Sequence, residues 1–243
     1  VKVLTWNVLH RVHAENHGEP AIHRWRDELE RVRRVVDLVS KALRVDGFEA
    51  VLLQEVSGDV LESLRGHLPM WAVLNHPYPR VPRQKRPGAP MRDLREHLVV
   101  IAPEGSTVFR ARTFEGDPGK GVLAVTVPSG LVVASTHVSW GPKGEAQLAA
   151  LRELFHASSA PVCIGGDFNA EREVLVRAFG ADVVVGALPP DSPRTRPAEG
   201  GTGGADIDHL LVHGAELSDL RVLDHHGLSD HRPVAAAVVK WTL

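Results

Sequence analysis

One cysteine, Cys163, stands in the 243 residues, so no disulfide can form within the chain and a disulfide-stapled scaffold is excluded. Its setting, Ala160-Pro161-Val162-Cys163-Ile164-Gly165-Gly166, reads as a buried strand position. Charge of one sign is also lacking: 28 Lys and Arg face 30 Asp and Glu, for a net charge of −2. That balance excludes a polybasic wrapper of nucleic acid, but not an enzyme that holds phosphates through a metal ion and a local basic patch. Long hydrophobic runs are missing too; stretches such as 49–53 and 131–135 are too short to cross a bilayer, and no membrane association is expected. The N-terminus opens on the alternating Val1-Lys2-Val3-Leu4-Thr5-Trp6 rather than on a basic then apolar leader, so the expected location is the cytoplasm. A signal ahead of Val1 would lie outside this sequence.

What is plentiful is apolar content, 43%, ample for a substantial core. The spacing predicts a strand at 1–8, a His-rich loop, and a helix over 25–43 with Leu29, Val32, Val35 or Val36, and Val39 on one face. A strand at 49–54 and a helix at 60–68 continue the β-α order. Strands at 72–75, 97–102, 107–113, 121–127 and 131–136, divided by Gly, Pro and Ser, imply hairpins. A helix at 143–156, a strand at 161–165 and a helix at 171–179 restore β-α order. After a Pro/Gly-rich loop at 188–204, strands near 207–212, 217–223 and 234–239 close the chain. The order is α+β, and its simplest packing is two sheets face to face with helices on the outer faces, in one domain over 1–243.

Polar residues recur at the ends of these apolar strands: Asn7, Glu55, His137, Asp167 with Asn169, Asp208, and Asp230-His231. Singly, each has an ordinary reading. Glu55 could be a solvated carboxylate, Asp167-Phe168-Asn169 an Asx turn and helix cap, His231 a packed loop histidine, His137 a strand cap. Together they are chemically complete for metal-assisted phosphoester hydrolysis, with hard oxygen ligands, a histidine with a carboxylate partner, and groups to hold phosphate.

Thr5-Trp6-Asn7, Leu53-Gln54-Glu55, Ser135-Thr136-His137, Gly166-Asp167-Phe168-Asn169, Ile207-Asp208-His209 and Ser229-Asp230-His231-Arg232-Pro233 resemble, in order, the motifs of the endonuclease/exonuclease/phosphatase superfamily, the deoxyribonuclease I-like group. The resemblance implies a four-layer α/β sandwich, two mixed β-sheets flanked by helices. It implies an Mg²⁺- or Mn²⁺-dependent hydrolase, with Glu55 the main metal ligand and Asn7 and Asp230 lining the same site. Asp167 would orient or deprotonate the attacking water, Asn169 and His137 would contact phosphate oxygens, and Asp208 would pair with His231. Glu96 falls where deoxyribonuclease-type relatives carry a partner for the other histidine; its ordinary reading is an exposed glutamate. Two departures stand out. The carboxylate that exonuclease III-type relatives carry two residues after the asparagine is absent from Asn7-Val8-Leu9, and those enzymes have no histidine at the place of His137, which argues against abasic-site repair. Asp206 also stands where many relatives carry a basic residue.

Substrate selection is expected from the loops. The 78–95 stretch carries Arg80, Arg83, Lys85, Arg86, Arg92 and Arg95 and could grip a polyanion, or be a solvated loop. Trp140 could stack on a base or sugar, or pack under a loop. His10, His13 and His17 could touch phosphate; a transition-metal site there is not expected. Arg31, Arg33 and Arg34 alternate with acidic residues as on a solvated helix face. The favoured reading is a monomeric phosphoesterase of a nucleic acid or nucleotide: an RNA end, a cyclic phosphate end or a single strand. The alternatives are a small-molecule or lipid-headgroup phosphatase and a non-catalytic scaffold.

Overall fold

Alternating apolar stretches set the frame of the computed structural model, which describes residues 1–85, 88–198 and 203–240. In chain order the elements are β1 (Lys2–Asn7), α1 (Arg11–His17), α2 (Pro20–Arg24), α3 (Glu28–Arg44), β2 (Ala50–Ser57), α4 (Gly58–His67) and β3 (Trp71–Pro77). There follow β4 (Glu96–Pro103), β5 (Thr107–Thr113), β6 (Gly121–Thr126), β7 (Val132–His137), α5 (Pro142–Ala157), β8 (Val162–Asp167) and α6 (Arg172–Phe179). The chain ends with β9 (Val183–Val185), β10 (Arg196–Pro197), β11 (Gly204–Ala205), β12 (Asp208–His213), β13 (Ala215–Val222) and β14 (Val234–Lys240). One six-stranded sheet runs β13-β14-β1-β2-β4-β3 and the other β5-β6-β7-β8-β12-β9. Both are mixed, since β1 pairs parallel with β2, and β7 with β8, among antiparallel neighbours.

Three apolar layers hold the sandwich together. Val32, Val35, Val36 and Val39 of α3 and Leu64 of α4 bury against Trp6, Val51 and Leu53 of the first sheet. Leu52, Val100, Leu123, Cys163 and Leu210 fill the space between the sheets. Leu151, Phe155, Leu175 and Phe179 seal the outer face of the second sheet. The result is helix, sheet, sheet, helix, the expected four layers. Cys163 is fully buried, and burial pushes its thiol up to about 12.

The glycines of β8 let the sheets approach. A Cβ on Gly165 would stand 2.7 Å from Leu210, 2.8 Å from Leu52 and 3.0 Å from Thr5. Beside them Gln54 bridges the layers, its amide nitrogen donating to Thr5 Oγ1 at 3.1 Å and to Ser135 Oγ at 2.9 Å, while Ser135 Oγ donates to Leu53 O.

The structure corrects several local expectations. The His-rich loop contains α1 and α2, because Arg11 and Glu15 are buried as an ion pair and supply no apolar period to read. Leu29 is 57% exposed, and the buried stripe of α3 continues instead through Ala42 and Leu43. The 188–204 loop contributes β10, which pairs with β11 in a two-stranded ribbon. No helix of the described residues is long and apolar enough to cross a membrane.

Candidate active site

Strand register gathers the polar strand ends at one rim. In the second sheet His137 stands opposite Asp167, Asp167 opposite Asp208, and Gly121 opposite His137, so one row crosses four strands. In the first sheet Asn7 stands opposite Gln54, and the next residue, Glu55, sits at an irregularity in the β2–β4 pairing. Glu55 has φ 56°, and Asn169 φ 48°. A left-handed glutamate costs energy, and such strain concentrates where a side chain must be aimed. The segment before β14 adds Asp230 and His231 from above, with Trp6 Nε1 donating to His231 O at 3.0 Å and Ser229 Oγ to Asn7 O at 2.7 Å.

Asn7 ties the two central carboxylates. Its Nδ2 donates to Glu55 Oε1 at 3.2 Å and Asp167 Oδ2 at 3.1 Å, while its Oδ1 accepts from Leu9 N–H. The other oxygen of Glu55 accepts from His10 N–H at 3.0 Å. Asp167 Oδ1 takes the Asn169 N–H, its Oδ2 lies 3.2 Å from His137 Nε2 and 3.8 Å from His231 Nε2. Asn169 donates its side-chain amide to Val138 O at 2.8 Å. Asp208 holds His231 Nδ1 with both oxygens, at 2.8 and 3.1 Å, so Nε2 faces the cavity.

These groups open into a cavity of about 420 Å³, lined by the carboxylates of Glu19, Glu55, Asp167 and Asp230 interleaved with His137, His231, Lys120, Arg80 and Arg196. Trp140, 57% exposed, forms part of its lip and of the adjoining recess with His17 and Arg196. Burial opposes charge on Glu55, but His13, His137 and Lys120 overcome it and hold the carboxyl well below its usual range. Asp167 is likewise held down despite burial, chiefly by His231 and His137. Burial lowers His231, yet Asp208, Asp167 and Asp230 outweigh it and push the imidazole up to about 10. Burial also pushes the Asp208 carboxyl up, against the attraction of His231. The pair therefore keeps its proton through neutral pH.

Lys120, Arg196 and Arg31 were not legible as functional residues. Lys120 precedes β6 and touches His137 Nε2; burial lowers its pKa against the pull of Asp167 and Glu55. The signal, available only with register, is that Gly121 pairs with His137. Arg196 lies 3.3 Å from Asp230 and 3.5 Å from Glu19. Arg31, read as solvated, is buried and donates to Val8 O, Leu9 O and Leu228 O, clamping the exit of β1 to the segment before His231.

Other expected residues fall elsewhere. Arg83 and Lys85 are exposed and do not line the cavity; their backbone bonds Asn16 of α1 instead, and of the basic loop Arg80 alone lines the cavity among the described residues. Arg86 lies outside the described residues. Glu96 is buried rather than exposed, and its partner is His13 at 3.0 Å, not His137. The His10 to His17 stretch is α1 with His10 as its cap, and His13 and His17 line the cavity. Asp206 is neutralised by an ion pair with Arg194.

The donor set suits a hard divalent cation. Glu55, Asp167 and Asp230 present carboxylates to one cavity, while Asp208 and the protonated His231 are committed to each other. Oxygen donors of this kind, few in number and beside an open cavity, match a cation that retains waters and binds phosphate oxygens.

A model of the "Endonuclease/Exonuclease/phosphatase family" matches residues 4–231. No curated protein matches the sequence. Solved structures that match include truncated Caenorhabditis elegans TDP2, 16% identical with TM-score 0.66, covering 98% of this chain and 97% of that one. The Bacteroides thetaiotaomicron mannosyl-6-phosphatase Bt3783 is 14% identical with TM-score 0.66, covering 98% and 99%. The human Nocturnin catalytic domain with bound sulfate is 17% identical with TM-score 0.64, covering 98% and 93%. At these identities the likeness establishes the fold.

Proposed function

The chain belongs to the endonuclease/exonuclease/phosphatase family, and from that membership we propose that it is a divalent-metal-dependent phosphoesterase acting on a phosphate at the end of a nucleic acid or on a nucleotide. The observation that carries the reading is the cavity that four carboxylates, those of Glu19, Glu55, Asp167 and Asp230, share with His137, His231, Lys120, Arg80 and Arg196. Such a site neutralises an ester phosphate with its cationic groups and leaves carboxylate acceptors for a water. When bound, Mg²⁺ or Mn²⁺ would supply charge neutralisation at the phosphate oxygens. Glu55 would hold it, with Asn7 and Asp230 alongside. Asp167, kept ionised and fixed by Asn7 and Asn169, accepts a hydrogen bond from the attacking water and orients it in line. His231, protonated and fixed by Asp208, donates to a phosphate oxygen that gains charge in the transition state. Lys120, in contact with His137 Nε2, offers a further donor to the phosphate oxygens.

The substrate class rests on the lip. Trp140 offers an aromatic face beside Arg196 and His17, suited to a base or sugar next to the phosphate. Because Arg83 and Lys85 are exposed and do not line the cavity, we do not extend the site into a track for a long polyanion. One observation favours a second reading: a cavity of this size also accommodates a sugar phosphate, in keeping with the mannosyl-6-phosphatase neighbour.

The test is hydrolysis of a panel of single- and double-stranded DNA and RNA, RNA ending in 2′,3′-cyclic phosphate, nucleotides, sugar phosphates and inositol phosphates, each with Mg²⁺, Mn²⁺ or EDTA. Expected is turnover of the nucleic-acid ends or nucleotides, abolished by EDTA and by Glu55→Ala. Preference for sugar phosphates installs the second reading. Turnover that survives EDTA overturns the metal dependence, and folded protein that turns over nothing and binds no Mn²⁺ leaves the scaffold reading.

A further inference from the structure

At the far end of β12 from Asp208, about 17 Å away at roughly 3.4 Å per residue, a second group of ligand-bearing side chains converges. His156 lies in the last turn of α5, Asp182 just ahead of β9, and His213 at the end of β12. Their ligand atoms all lie within 4.8 Å of one another, with His156 Nε2 3.8 Å from Asp182 Oδ2. The rings of His156 and His213 stand 5.9 Å apart at 71°.

We propose that His156, Asp182 and His213 form a binding site for a borderline transition-metal ion such as Zn²⁺, separate from the active site. The core fixes the backbone of all three. Phe155, beside His156, is fully buried against Phe179 at 5.6 Å, and its ring lies 6.1 Å from that of His213. Register pairs His213 with Val183, so Asp182 stands next to His213, while the neighbouring Val183 is buried. The side chains of His156 and Asp182 are half exposed, 50% and 45%, and can swing toward His213, which is half-buried beside Phe155, without disturbing the core. Donors around Zn²⁺ stand roughly 3.3 Å apart when each bond is about 2.0 to 2.1 Å. Closing from the observed spacing therefore takes side-chain rotation alone. Two imidazoles and one carboxylate select Zn²⁺, Co²⁺, Ni²⁺ or Cu²⁺ over Mg²⁺ or Ca²⁺, the opposite of the oxygen-rich active site. A bound ion would staple α5 to β9 and β12, with water completing its shell.

The experiment uses tag-free protein stripped with EDTA, dialysed, and saturated with Mg²⁺ to fill the active site. Zn²⁺ binding is then followed by calorimetry, and Co²⁺ binding by its visible absorption. Expected is one Zn²⁺ equivalent in the wild type and in His231→Ala, weakened in His156→Ala and His213→Ala by more than the roughly 10- to 100-fold that loss of an outer-shell partner costs. Mg²⁺-dependent phosphoester turnover should be unchanged in His156→Ala and His213→Ala. Because His213 packs against Phe155, Asp182→Asn serves as a variant with no core contact at risk. Wild type that binds no Zn²⁺, or an equivalent that persists in His156→Ala and Asp182→Asn but disappears in His231→Ala, overturns the proposal.

Discussion

Strand β12 carries a carboxylate–imidazole cluster at each end, built from the same side-chain types in opposite surroundings. Asp208, His231 and Asp167 are buried, with His231 hydrogen-bonded to Asp208 and 3.8 Å from Asp167, whereas His156, Asp182 and His213 are partly open to solvent and His156 stands 3.8 Å from Asp182 with no hydrogen bond between them. At the buried end every charge is answered by a neighbour, and the His231 imidazole is pushed up to about 10. Fixed carboxylates on several sides, outweighing burial, hold His231 as a cation through neutral pH.

The contrast breaks most visibly at the buried end. His231→Ala should lower kcat by roughly 100- to 10,000-fold, the range expected when a positioned proton-bearing group is lost, and Asp208→Asn should approach it because the imidazole loses its orienter. A pH profile separates the two. The folded pKa of His231 is raised above its ordinary 6.5, so the stabilisation from its charge is fully present below pH 6.5 and is lost as pH rises through about 10. Activity that uses the cation should hold across neutral pH and fall near pH 10, and in Asp208→Asn that fall should move to lower pH. An unmoved alkaline limb would detach His231 from the rate. Lys120→Met keeps the buried volume while deleting the charge, and is expected to cost roughly 100-fold in kcat, in line with loss of one preorganised donor.

That Lys120 had to be found in the structure says which parts of the molecule the sequence makes readable. Strand ends are readable because an apolar run that stops at Asn7, His137 or Asp167 marks both the strand and its rim residue. Lys120 and Arg196 lie at turns or in a two-residue strand, and only the pairing of Gly121 with His137, or of Arg196 with Ala205, brings them to the rim. Arg31 has the sequence context of a solvated charge, and its burial depends on carbonyls distant along the chain, up to Leu228. Helix α1 escapes periodicity for a related reason, since the Arg11–Glu15 ion pair shares its buried side with only Val12 and Ala14. The basic stretch reads either as a grip for a polyanion or as a solvated loop; its backbone bonds to Asn16 leave Arg83 and Lys85 exposed and outside the cavity lining, while Arg80 lines it.

The close sheet approach beneath the buried cluster gives a smaller, purely structural test. Gly165→Ala places a methyl 2.7 Å from Leu210, 2.8 Å from Leu52 and 3.0 Å from Thr5, all in the packed interior. Overpacking of this kind costs about 1–3 kcal/mol, or several degrees in Tm for a chain of this size at roughly 2–4 °C per kcal/mol. Thermal unfolding checks it. A Tm that did not fall would mean that the sheets separate easily, and that the buried cluster owes less to their spacing than the geometry implies.

The smallest effect is expected at the exposed end, and there the comparison is sharpest. His156→Ala in EDTA removes a half-exposed ring whose carboxylate neighbour Asp182 is itself half exposed at 3.8 Å. Exposed pairs contribute little, and surface substitutions usually stay within about 0.5 kcal/mol. Stability to urea and phosphoester turnover should both match the wild type. Repeating the melt with Zn²⁺ at 100 times its Kd should then raise wild-type stability by about 2.7 kcal/mol, since a ligand bound only by the folded state stabilises by mass action, and should leave His156→Ala unmoved. A histidine whose deletion is silent without metal and costly with it acts through the ion alone. The same deletion at His231 would be felt with Zn²⁺ or without it, because there the imidazole already answers buried charge.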